Sequence, residues 1–78
     1  MADETLKDAF AAVLAKRRHA KGLSQQALAD ACDLHFTFIS QLERGKKVPT
    51  LGTIVKLAEA LGCRPHRIVL DVEKLLDD

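Results

Sequence analysis

The residues best equipped for chemistry lie between positions 32 and 47, in "CDLHFTFISQLERGKK". Two chemistries are open to them. The first is metal binding. Cys32 and His35 form a Cys-x-x-His unit, and "CRPH" repeats it at Cys63 and His66. Four such ligands could hold zinc tetrahedrally. Usual zinc modules pair Cys with Cys and His with His, however. Cys32 also falls on an apolar helix stripe with Leu28 and Ala29. Both thiols are therefore expected to be free, and neither a metal nor another cofactor is expected.

The second chemistry is hydrogen bonding to a nucleic acid. Placed on a helix at about 100° per residue, Ile39 and Leu42 mark one side, with Phe38 at its edge. Phe36, Thr37, Ser40, Gln41 and Arg44 occupy the other side. One glutamine amide, Gln41, can hold both N6 and N7 of an adenine. Thr37 and Ser40 can reach base edges or phosphates, and Phe36 can pack on a thymine methyl. Each has a plainer alternative. Gln41 could be a solvated surface residue. The two hydroxyls could bond their own helix backbone. Phe36 could shield the corner between two helices, or mark a surface meant for another protein.

Composition limits the rest. At 78 residues the chain is one small domain, 1–78, with a thin core. Formal net charge is only +1, so nucleic-acid binding cannot be argued from the global field. The distribution says more. "AKRRHAK" (15–21) and "RGKK" (44–47) together hold seven of the twelve Lys and Arg residues. Acids gather at the ends: Asp3, Glu4 and Asp8, then Asp71, Glu73, Asp77 and Asp78. The N-terminus carries no signal-peptide pattern, and no apolar run is long enough for a bilayer. A cytoplasmic protein without membrane contact is expected. Nucleophile elbows, phosphate loops and paired acids at a cleft are missing, so no enzyme is expected.

Five helical segments and no strand position these residues. The first runs from about 4 to 20, with Leu6, Phe10, Val13 and Leu14 on one face. Thr5 with Asp8, or Asp3 one turn earlier, is the candidate N-terminal cap, and Gly22 stops the helix. The second runs from Ser24, its cap, to about Cys32. The third spans about 35–44 and ends at Gly45. The fourth spans about 50–61, capped by Thr50, with Leu51, Ile54, Val55, Leu57, Ala58 and Leu61 as its core stripe. The fifth spans about 65–76, opens with Pro65, and shows Ile68, Val69, Val72, Leu75 and Leu76 on its apolar face. Two short helices joined by about three residues, with Leu34 plugging the gap, form a helix-turn-helix layout.

The stretch "LSQQALADACDLHFTFISQLERGKKVPTLGTIVKLAEALG" resembles the Cro/repressor-type (XRE-like) helix-turn-helix family. "LSQ" opens the second helix, "LA" lies within it, "IS.LERG" closes the third, "PTL" opens the fourth and "ALG" closes it. The resemblance implies an all-α, compact five-helix, lambda-repressor-like domain. It places the third helix in the major groove, with Phe36, Thr37, Ser40 and Gln41 toward the bases. It puts Gln25, Arg44, Lys46, Lys47 and Arg17, with Lys16 as an alternative, on phosphates. It pairs Arg18 with Glu43 as a structural tie between the first and third helices. Asp33 stands where the family usually carries Gly, and His35 where a Ser or Thr cap is usual. A left-handed, somewhat strained turn and a ragged helix start are expected.

The implied function is sequence-specific DNA binding as a transcriptional regulator without a small-molecule effector. A homodimer on an inverted repeat would place two recognition helices about 34 Å apart. Its interface is expected on the fifth helix, from Val69, Val72, Leu75 and Leu76, although Ile68 and Val72 also suit the core. The rival reading is a protein-interaction module that kept the fold and lost DNA reading. Phe36 and the near-zero net charge are its support.

Overall fold

The computed structural model describes residues 3–77, with side chains from Thr5 onward. The described residues form five helices: α1 Asp3–Ala20, α2 Gln25–Cys32, α3 Phe36–Glu43, α4 Leu51–Leu61 and α5 Pro65–Leu76. α1 packs against α3 and α5, α2 against α3 and α4, and α4 against α5. Every helix places at least one large side chain wholly inside: Leu14, Leu28, Ile39, Leu42, Leu57 and Ile68. Each such burial is worth about 1.5–3 kcal/mol. Helices as short as α2 and α3 hold only because this shared core fixes them.

Local signals set the ends. Ser24 Oγ accepts from the Ala27 N–H at 3.0 Å, and Thr50 Oγ1 accepts from the Thr53 N–H at 3.1 Å. Both are the caps expected from sequence. Pro65 is the first residue of α5, where its missing N–H removes no helical bond. α1 is already helical at Asp3, so Thr5 lies inside it, and the expected Thr5–Asp8 cap does not form the start. The true cap position falls outside the described residues.

The turn between α2 and α3 carries the expected strain. Asp33 adopts φ 57° and ψ 43°, a left-handed conformation that costs a side chain with a Cβ about 1–2 kcal/mol. Its reward is a closed helix end, where the Leu34 N–H donates to the Ala29 carbonyl at 2.9 Å. Leu34 then packs on the core edge. His35 caps α3 without a side-chain hydrogen bond, the ragged start its identity suggested. At the other end of α3, Gly45 has φ +70°, and a Cβ there would lie 2.7 Å from Asp8 Oδ1. Glycine thus lets the chain turn out of α3 directly against α1.

The α4 stripe is narrower than expected. Leu57, Ala58 and Leu61 are buried, but Leu51 is 72% and Val55 46% exposed. On the helix wheel Val55 stands more than about 100° from both Leu57 and Leu61, while Leu51 lies on the Ala58 side but is the first residue of α4. Asp33→Gly is expected to raise stability by about 0.5–1 kcal/mol in urea unfolding. Removing the left-handed penalty outweighs the entropy glycine adds to the unfolded chain.

Candidate nucleic-acid interface

The interface is built on one buried ion pair. Arg18, on the last turn of α1, donates from Nε to Glu43 Oε2 at 2.6 Å and from Nη2 to Oε1 at 2.9 Å. Its Nη1 donates to the Leu23 carbonyl at 2.8 Å. Nη2 also lies 3.2 Å from His19 Nε2, which accepts when the ring proton is on Nδ1. The two side chains are only 10% and 6% exposed. Hydrogen bonding to Glu43 pushes the Arg18 pKa up; burial opposes this and is outweighed, and the Glu43 charge adds to the rise. The guanidinium therefore stays charged, and its fork matches the carboxylate. The expected tie between the first and third helices is present.

The same carboxylate reaches further than expected. Gln25 Nε2 donates to Glu43 Oε1 at 3.1 Å. Gln25 is the first residue of α2, so one carboxylate joins α1, the start of α2 and the end of α3. The Gln25 amide is thereby held at a helix N-terminus whose first N–H groups have no helical partner.

The reading face of α3 has the composition expected. Phe36 and Thr37 are exposed, Ser40 and Gln41 are half-buried, and Ile39 and Leu42 are inside. Among the described residues no side-chain hydrogen bond engages Thr37, Ser40 or Gln41, so their polar groups are available to a ligand. The two phenylalanines separate as the wheel requires. Phe38 packs on the core edge, while Phe36 stays 45% exposed. Arg44 and Lys46 are exposed past the end of α3. Lys47 is exposed too, with Nζ 5.8 Å from the centre of the Phe38 ring, close enough for a weak cation–π attraction.

Two expected contacts are placed elsewhere. Arg17 does not stand free for phosphate. It donates from Nε to Asp71 Oδ2 at 2.9 Å and brings Nη2 within 2.8 Å of the same oxygen. It turns into the α1–α5 groove because it lies about 100° around α1 from Arg18, and Lys16 lines that groove beside it. Val72, expected at a dimer interface, is 7% exposed and belongs to the core. It sits one turn after Ile68 on the inward face of α5.

The remaining apolar residues of α5 face two directions. Val69 is 49% exposed and lines a groove of about 170 Å³ with Leu6, Val48 and Ile54. Leu75 is 47% exposed but lines the opposite groove with Arg17 and Asp71. Leu76 packs partly on the core. Val48, 44% exposed, lines the same groove as Val69, and Leu51 and Val55 are exposed on α4. Sequence reasoning assigned Leu51 and Val55 to the core and so missed their exposure.

Cys32 is buried, and its thiol points at the Lys56 carbonyl, 3.8 Å away. Burial pushes its pKa up, and the Lys56 charge offsets this only in part. Among the described residues no three His, Cys, Asp or Glu side chains gather where they could hold a metal.

A helix-turn-helix family model matches residues 14–68. The control protein C.BamHI of Bacillus amyloliquefaciens is 45% identical over 47 residues, which cover 60% of this chain and 58% of that protein. The match thus spans less than two thirds of that relative. The crystal structure of the restriction-modification controller protein C.AhdI from Aeromonas hydrophila superposes with a TM-score of 0.77 at 37% identity, covering 80% of this chain and 94% of that one. The hypothetical transcription factor NHTF from Neisseria gives a TM-score of 0.81 at 31% identity, covering 99% and 88%.

Glu43→Gln is expected to cost about 3 kcal/mol in urea unfolding, because it strands the buried Arg18 charge. Asp71→Asn, which breaks the half-exposed Arg17 pair, is expected to cost less than about 1 kcal/mol.

Proposed function

The chain belongs to the helix-turn-helix family, and on that premise we propose that it is a DNA-binding transcription regulator that reads its operator with α3. One observation carries the reading. The outward face of α3 presents unengaged Thr37, Ser40 and Gln41 side chains, with exposed Arg44 and Lys46 at its end and the held Gln25 amide on its other side. Gln41 is assigned to a base edge, where its amide can satisfy two groups at once. Gln25, Arg44, Lys46 and Lys47 are assigned to phosphates, which fix register without specifying sequence. The low net charge does not oppose this, since affinity depends on the cations that meet the backbone. Among the described residues no helix is long and apolar enough to cross a membrane.

The relatives C.BamHI and C.AhdI are named as a control protein and a controller protein, which supports a regulatory role here. We further assign the chain to a homodimer. Its interface is assigned to Val48 and Val69, which are exposed on one apolar groove, together with the exposed Leu51 and Val55 of α4. Such patches mark association sites. A two-fold pair of α3 helices would then bind an inverted repeat.

Selection from a random duplex pool, followed by titration across a salt series, tests DNA binding. With three cations per protomer on phosphates, a dimer is expected to show a slope of log K against log salt of about −5, and Arg44→Ala is expected to reduce it by about 2. Gln41→Ala is expected to weaken the selected duplex about 10-fold or more while sparing random DNA. Absence of binding at low salt would overturn the reading. For the dimer, Leu51→Glu is expected to yield a folded monomer in sedimentation equilibrium, at a concentration where the unmodified chain is dimeric. A variant that still dimerises would exclude this patch.

A further inference from the structure

Phe36 is the first residue of α3 and is 45% exposed. The apolar side chains packed on the core edge include Leu34 and Phe38 but not Phe36. Leu34 therefore packs at the α2–α3 corner, and nearly half of the Phe36 surface stays open to a ligand. Its surroundings describe a ligand. Thr37, Ser40 and Gln41 offer hydroxyls and an amide on the same face, and Arg44 and Lys46 offer exposed positive charge. Glu43, the sole acid of α3, is turned to Arg18. An occupant must therefore carry negative charge at the rim, hydrogen-bonding edges inside, and an apolar group where Phe36 projects. Duplex DNA fits this description. In its major groove the apolar group is the C5-methyl of thymine.

We propose that Phe36 is a specificity-determining residue that reads the C5-methyl group of one pyrimidine in each half-site; the proposal rests on the DNA-binding reading above. A phenyl ring has no donor or acceptor, so it cannot sense the exocyclic group at C4. It senses the methyl. Thymine and 5-methylcytosine satisfy it at that contact; uracil and cytosine do not. Operator affinity accordingly responds to C5-methylation of cytosine at that position.

The test uses the full chain and the duplex it selects from a random pool. Each thymine is replaced in turn by deoxyuridine, which removes only the methyl. At one position per half-site the unmodified chain is expected to bind about 3- to 5-fold more weakly, the effect of one lost methyl contact. Phe36→Ala is expected to bind the thymine and deoxyuridine duplexes equally, and Phe36→Leu to keep part of the difference. With a C·G pair at that position, 5-methylation is expected to restore a similar factor for the unmodified chain alone. Specific binding with no deoxyuridine effect at any position, or an effect that survives in Phe36→Ala, overturns the proposal. Failure to bind any duplex overturns the DNA-binding reading itself. A folded chain in which Phe36→Ala changes only binding to another protein also overturns it.

Discussion

The Arg18–Glu43 pair ties the end of α3 to α1 in a fold whose short helices are held by a shared core. A charge this well covered loses several kcal/mol of hydration, and a simple pair would barely recover it. Here the recovery is spread over several bonds. Glu43 takes two bonds from Arg18 and one from Gln25, and Arg18 gives a further bond to the Leu23 carbonyl. No buried side-chain nitrogen or oxygen among the described residues is left without a partner. An apolar replacement could pack as well, but it would not tie the end of α1, the entry to α2 and the end of α3 at fixed distances. Those bonds hold the end of α3 and place Gln25 beside it.

Charge is sorted by partner, not by total. Arg17 and Arg18 are adjacent in sequence, and neither is free for a ligand: one is held by Asp71 and the other by Glu43. The cations left around α3 are Arg44, Lys46 and Lys47. Lys47 is the least free of these, because its ammonium rests near Phe38. A near-neutral domain can in this way present a local positive rim, with Glu43 and Asp71 turned to ion pairs. Such a rim acts within about one Debye length, ~8 Å at physiological salt, which is the range of a docked phosphate backbone.

The surface also shows what a thin core leaves over. Phe38, Leu34 and Leu76 close the core edge. Phe36 lies outside that shell, and so do Leu51, Val55 and Val69. Leu75 is exposed as well, on the α1–α5 groove, so these groups are spread over more than one face of the domain. A small domain cannot bury everything apolar.

Much was legible before any coordinates. Helix number, the Ser24 and Thr50 caps, the glycine stop at Gly45 and the division between Phe36 and Phe38 follow from local rules with a 3.6-residue period, while the strained Asp33 turn followed from resemblance. The Arg18–Glu43 tie followed from resemblance. Tertiary structure alone decided which way Arg17 turns, that Gln25 shares the Glu43 carboxylate, and that Leu51 and Val55 are not core. Periodicity gives the direction of a side chain around its own helix axis. It does not give the distance to the next helix or the width of the face that helix covers, because crossing angles and spacings are set by the whole packed core at once.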